Sequence, residues 1–167
     1  MNYRAMVLTI SDKGSAGLRQ DTAGPAVAKL LEQNGYQVVH TDLLPDEQER
    51  IVEVLKEGCD KESADLIVTT GGTGLSPRDV TPEATLAVLE REVRGIPEAM
   101  RYASLQITPR ACLSRGVAGT RGRTLIVNLP GSRKAAVENL SAVLPALGHG
   151  LDVLQGNSGD CGEVQHG

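Results

Sequence analysis

The chain has no phenylalanine and no tryptophan, and only three tyrosines, Tyr3, Tyr36 and Tyr102, in 167 residues. Its core must therefore be aliphatic, and the scarcity argues against nucleic acid as a partner, because aromatic stacking platforms are missing. No apolar run approaches the roughly 18–20 residues that a bilayer span needs. The opening MNYRAMVLTI lacks the long apolar region and small-residue cleavage site of a signal peptide. Cys59, Cys112 and Cys161 are odd in number and scattered, with no C-x-x-C, so neither a disulfide framework nor a zinc site is indicated. His40, His149 and His166 show no metal-ligand spacing with one another or with cysteine. These absences leave a cytoplasmic protein with no membrane partner. Its length suits one domain, and 40% hydrophobic residues can fill a core.

Acidic residues are also missing locally. The net charge is −4, yet no Asp or Glu occurs from Ala99 to Val137. That window holds Arg101, Arg110, Arg115, Arg121, Arg123, Arg133 and Lys134. A short basic segment in an acidic chain suits a small anionic ligand, or a basic face that pairs with acidic helices or another subunit.

Apolar runs at Arg4–Ile10, Tyr36–Leu44, Asp65–Thr70 and Leu125–Leu129 read as strands. Between them lie helical patterns. One contains Ala26, Val27, Leu30 and Leu31 and stops at Gly35. The next is capped by Asp46, with Ile51, Val52 and Leu55 inward. A third is capped by Thr81 ahead of Pro82, with Leu86 and Leu89 on its apolar face. Gly95 and Pro97 interrupt the pattern before a shorter helix over Glu98 to Leu105. Short strands are expected at Ala111–Leu113 and Val117–Ala118, around a turn at Thr120–Arg123. The last helix starts at Ser132, buries Val137, Leu140, Leu144 and Leu147, and breaks or kinks at Pro145. Alternating strands and helices predict an α/β fold with a mainly parallel sheet covered on both faces, here a three-layer αβα sandwich with a small β-hairpin. Residues 1–156 form the domain and 157–167 a short polar tail.

Right-handed crossovers bring the strand-to-helix loops to one carboxyl edge, where ligands bind in such folds. The loop after the third strand is the most informative: Gly71, Gly72, Thr73 and Gly74, followed by Ser76, Arg78 and Asp79. It lacks the Lys-Ser/Thr of a Walker A loop and the third glycine of a dinucleotide fingerprint. Glycine backbone approaching an anion, with a cation and a carboxylate close behind, points to phosphate. Asp46 and Asp79 each follow a strand that ends at this edge, and Mg²⁺ is commonly held by one or two carboxylates plus substrate phosphates. Asp46 also fits a helix cap, and Asp79 an ion pair with Arg78 or a turn acceptor. Ser11-Asp12 could bind nucleotide or cap a turn. Pro130-Gly131-Ser132 heads a helix whose N-terminus favours anions.

TTGGTGLSPRDVTPEAT, PDEQ, ITPRACLSRGVAGTRG and LIVNLPGS, in that order, closely resemble the molybdopterin adenylyltransferase family of the MogA/MoaB type, whose domain also occurs in gephyrin. The resemblance runs from about Arg4 to Gly156. It implies a trimeric enzyme that transfers AMP from ATP to molybdopterin with Mg²⁺, releasing pyrophosphate, and that could pass its product to a molybdenum insertase. Asp46 and Asp79 match the acids of metal-dependent catalysis. The glycine loop with Arg78, Ser11-Asp12 and Pro130-Gly131-Ser132 match substrate loops. Ser104 and Ser114 match positions near the pterin and phosphate. MoaB-type members do not all catalyse the reaction, so a non-catalytic molybdopterin-binding or scaffold module is the alternative.

Overall fold

The computed structural model describes residues 2–61 and 64–157. Its centre is a six-stranded sheet in the order β2-β1-β3-β6-β5-β4. β1 (Arg4–Ile10) lies between β2 (Gln37–Leu44) and β3 (Leu66–Thr70), parallel to both, and β6 (Thr124–Leu129) adds in parallel to β3. β5 (Ala118–Arg121) forms an antiparallel hairpin with β6, and the two-residue β4 (Arg91–Glu92) closes the edge antiparallel to β5. β1, β3 and β6 read as near-continuous apolar runs because both sheet faces are covered.

Alternate residues feed two cores. Ala5, Val7, Val68 and Val127 face α2 (Ala23–Gln33), α5 (Gly95–Leu105) and α6 (Arg133–Gln155), meeting Val27, Leu31, Met100, Leu140 and Leu147. Met6, Leu8, Ile67 and Ile126 face α3 (Gln48–Asp60) and α4 (Thr81–Val88), meeting Ile51, Leu55, Ala84 and Val88. The sandwich is therefore three-layered, as the alternation of elements predicts.

Several local expectations give way. The loop after β1 contains a one-turn helix, α1 (Asp12–Ser15). Gly95 and Pro97 do not interrupt; both sit in the first turn of α5, where proline's missing N–H is not needed. Residues Pro109–Leu113 form a 3-10 turn instead of a strand, and β5 begins at Ala118, later than Val117. α6 runs unbroken through Pro145. Pro145 and the residue four before it, Ser141, are both exposed, so water can take the carbonyl that proline leaves unpaired. On α4, Leu86 is exposed, and the buried face is Ala84, Thr85 and Val88. Of the proposed 157–167 tail, all but Asn157 falls outside the described residues.

Asn128 locks the end of β6 in place. It is buried, donates through Nδ2 to Thr69 Oγ1 and Thr85 Oγ1 at 2.9 Å each, and accepts the Val117 N–H through Oδ1 at 3.1 Å. One amide thus ties β6 to β3, α4 and the segment leading into β5. Asn128→Ala strands the half-buried Val117 N–H and leaves a small void. It should lower unfolding free energy by about 2–4 kcal/mol, measured by urea denaturation with an unchanged m-value.

Candidate active site at the carboxyl edge

The ends of β1, β2, β3 and β6 are neighbours in one parallel array, so the four loops that follow them converge. One close approach is at Gly71, which has φ +100° and whose N–H donates to Leu129 C=O at 3.2 Å. A Cβ there would collide with the carbonyl oxygen of Ile10, and a Cβ on Gly131 would stand 3.2 Å from Gly71 Cα. Thr70 Oγ1 donates to Pro130 C=O at 2.6 Å. The glycine loop is thus pressed between the end of β1 and the Pro130-Gly131 turn. Ser132 caps α6, its Oγ accepting the Ala135 N–H at 3.2 Å.

Asp46 is not a helix cap. The cap position of α3 is Glu47, with no side-chain capping bond. Asp46 instead makes a reciprocal pair with the loop after β1. Its Oδ2 accepts the Asp12 N–H at 2.8 Å, and its own N–H donates to Asp12 Oδ1 at 2.9 Å. Asp12 also receives a two-pronged bond from Arg78, with Nε to Oδ2 at 2.9 Å and Nη2 to Oδ1 at 3.0 Å. Ser11 Oγ accepts the Gly14 N–H and caps α1. Ser11 and Asp12 therefore have internal jobs: they fasten the first loop to the second and third.

Asp79 pairs with its own turn. Its Oδ2 accepts the Ser76 N–H at 3.0 Å, and a Cβ on Gly74 would stand 2.9 Å from that oxygen. Two residues earlier in the loop, a Cβ on Gly72 (φ +67°) would stand 3.0 Å from Asp46 Oδ1. The two carboxylates therefore border Gly72 and Gly74, each with its Oδ2 engaged by a backbone N–H. Burial, and then the charges of Asp12 and Asp79, hold the Asp46 carboxyl above the usual carboxylate range. The Asp12 N–H and Arg78 work against that shift. Asp12 is held below its usual value by the Arg78 hydrogen bonds first and the Asp46 N–H second. An Asp46 uncomfortable as an anion is one that a bound cation would relieve. Among the described residues no three His, Cys, Asp or Glu side chains form a protein-only metal cage. Two carboxylates beside a glycine loop are a donor set that fits Mg²⁺ completed by substrate phosphates.

Sequence reasoning counted Arg115 only as part of the acid-free window, and the structure gives it the central structural task. Its N–H donates to Thr73 C=O at 2.9 Å, Nε to Gly74 C=O at 2.7 Å and Nη2 to Asp79 C=O at 2.8 Å, while Nη1 pairs with Glu83. Backbone and side chain of this one residue thus clamp the loop from Thr73 to Asp79 against the start of α4. Arg101 donates to Ser114 and Gly116 carbonyls, and Arg121 pairs with Asp60 through two bonds. Much of the basic window is therefore internal bracing. Arg110 lines a cavity of about 180 Å³ together with Ser104, Ser114, Pro130 and Asn139. In it Asn139 Nδ2 donates to Ser104 Oγ at 2.8 Å. The predicted positions thus form two adjoining places joined at Pro130-Gly131: the glycine loop with Asp46 and Asp79, and the serine-lined cavity.

Thr81 was expected to cap α4, but the cap position is Val80. The Thr81 side chain is fully buried, and among the described residues its Oγ1 is the one buried side-chain polar atom with no partner. Such a group costs about 1–3 kcal/mol.

Residues 6–149 match the family described as "Probable molybdopterin binding domain". The molybdopterin adenylyltransferase of Haemophilus influenzae is 48% identical over 139 residues, covering 82% of this chain and 71% of that protein. That of Helicobacter pylori strain J99 is 42% identical over 153 residues, covering 90% and 87%. The crystal structure of the molybdopterin biosynthesis enzyme MoaB from a Thermus species superposes with a TM-score of 0.88 at 54% identity, covering 92% of this chain and 97% of that one.

The raised Asp46 carboxyl sets a direction for stability against pH. Its folded pKa exceeds the unfolded value, so its contribution is fully present below the unfolded pKa and is lost as pH rises through the folded one. Asp46→Asn keeps an acceptor for the Asp12 N–H and removes the charge. It should melt at or above the parent at pH 7, and the gap should close below about pH 4, where the parent's carboxyl is neutral as well. Melting curves at the two pH values check this. Arg115→Lys cannot reproduce the fork and should cost about 1–3 kcal/mol. Hydrogen exchange at the Asp79 and Thr81 amides should rise with it.

Proposed function

The chain belongs to the molybdopterin-binding domain family, and from that premise we propose that it is a molybdopterin adenylyltransferase, moving AMP from ATP to the terminal phosphate of molybdopterin. The observation that carries the reading is the pair of carboxylates, Asp46 and Asp79, bordering Gly72 and Gly74. A phosphate oxygen of molybdopterin forms a bond to the α-phosphorus of ATP, the α–β bridging P–O bond breaks, and pyrophosphate leaves. Both reactants are anions, so the obstacles are repulsion and alignment. Mg²⁺, when bound, neutralises charge on the triphosphate, and Asp46 and Asp79 are the residues that would hold it.

The chain's own residues do the positioning. Gly71 N–H is occupied by Leu129 C=O, so the phosphate donors proposed are the N–H groups of Gly72, Thr73 and Gly74. Arg115 keeps those amides in fixed directions. Arg78, 61% exposed and shared with Asp12, lies at the rim where the triphosphate would enter. The N-terminus of α6 at Ser132 adds a favourable dipole. The serine-lined cavity beside Pro130, with Ser104 and Ser114, is the proposed seat of the pterin and its phosphate, and Arg110 supplies positive charge there. A homotrimer, a cytoplasmic location and hand-over of the product to a molybdenum insertase belong to the same proposal. Among the described residues no helix is long and apolar enough to cross a membrane.

The alternative is a non-catalytic molybdopterin-binding or scaffold module. The presence of both Asp46 and Asp79 favours the enzyme. Purified protein incubated with molybdopterin, ATP and Mg²⁺ should release pyrophosphate and form adenylylated molybdopterin. Asp79→Ala and Asp46→Ala should each lower the transfer rate at least about 100-fold, the scale of a lost electrostatic contact to the reacting group, while molybdopterin binding stays within a few-fold. Wild-type rates in both variants would remove the carboxylates from the mechanism. Absence of pyrophosphate with the parent protein would favour the binding module.

A further inference from the structure

Thr81 carries a hydroxyl that the fold does not use. Its backbone is fully engaged: the N–H donates to Gly72 C=O at 3.1 Å, and the C=O accepts from Thr85 Oγ1 at 2.8 Å. The side-chain oxygen has no partner and no exposure. A valine would fill the same space without burying an unmade hydrogen bond, so packing alone gives no reason for the hydroxyl. Helix capping gives none either, because Thr81 lies inside α4.

The position of the oxygen is informative. A Cβ placed on Gly72 would collide with Thr81 Oγ1 and would stand 3.0 Å from Asp46 Oδ1. Both oxygens therefore border one small space beside the Gly72 Cα, and they are not bonded to each other. Asp46 Oδ2 is already fixed by the Asp12 N–H. Oδ1 is the oxygen whose direction is left to be set. A hydroxyl buried this completely cannot touch a ligand, so any effect it has on a ligand passes through Asp46 or Gly72.

We propose that Thr81 is a positioning residue for Asp46, its hydroxyl donating to Asp46 Oδ1 when nucleotide and cation are bound and so fixing the carboxylate toward them. The role rests on the adenylyltransferase reading of the same site. A carboxylate oxygen has acceptor capacity for a hydroxyl and a cation together. A partner of this kind, one step removed from the ion, typically changes metal affinity by about 10- to 100-fold. Gly72 is then required for a second reason besides its backbone angle: any side chain would fill the space in which the two oxygens meet.

The test uses the intact protein with Mn²⁺ and α,β-methylene ATP, without molybdopterin, and reads Mn²⁺ binding by calorimetry. Thr81→Val should weaken binding about 10-fold or more, while its melting temperature without ligand is at or above that of the parent. Thr81→Ser, which keeps the hydroxyl, should restore binding to within about threefold. AMP transfer should follow the same order. Thr81→Val binding Mn²⁺ like the parent overturns the proposal, as does Thr81→Ser falling together with Thr81→Val, which would make the methyl group the working part. Weakening by Asp46→Asn with Thr81→Val unchanged removes Thr81 alone and leaves the cation site standing. A parent protein that binds no Mn²⁺ with the analogue takes down both readings.

Discussion

The close approach of Gly71 to two neighbouring strand ends is the constraint on which the site depends. A Cβ on Gly71 would collide with the Ile10 carbonyl, and a Cβ on Gly131 would stand 3.2 Å from Gly71 Cα. No L-side chain fits at Gly71, and φ +100° is a conformation that such residues rarely adopt. Because β1, β3 and β6 are parallel neighbours in tight register, their ends arrive together. The loops that follow are forced into one another. The need for glycine at this position is thus a consequence of sheet topology, whatever the loop binds.

That crowding sets up the electrostatics. Asp12 and Asp46 exchange backbone and side-chain bonds across two loops, and Arg78 from the third binds the outer carboxylate. Arg78 thereby compensates Asp12 and leaves Asp46, inside it, poorly compensated. Arg115, braced by Glu83, supplies rigidity to the loop backbone. The site therefore contains one well-paired carboxylate, one strained by burial and its neighbours, and one tied to its turn. This arrangement leaves attraction for a cation at Asp46 while the scaffold around it stays fixed.

Much of this was legible in the sequence. The strand–helix alternation was enough to predict the layers, and the chemistry-bearing loops were expected at the carboxyl edge because crossovers have one hand. What escaped has a common cause. Asp46 looks like a cap because Asp-x-x-Glu before an apolar run is a local signal, whereas its partner, Asp12, lies in the loop after another strand. Arg115 sits far along the chain from the carbonyls it holds, and no local pattern marks such a bond. Thr81 ahead of Pro82 reads as a cap, and only the packed neighbours reveal its hydroxyl as unpaired. Pro145 reads as a break, and only exposure of its face shows that water can replace the missing bond. Signals that depend on long-range neighbours were the ones lost.

The central claim is that Asp46 and Asp79, beside Gly72 and Gly74, bound a single cation-and-phosphate site. Anomalous scattering from a crystal of the protein soaked with Mn²⁺ and α,β-methylene ATP tests it most directly. The account predicts one strong manganese peak in contact with Asp46 Oδ1 and Asp79, with nucleotide phosphates against the glycine-loop amides. A manganese–nucleotide complex elsewhere on the surface, with both carboxylates uninvolved, would contradict it.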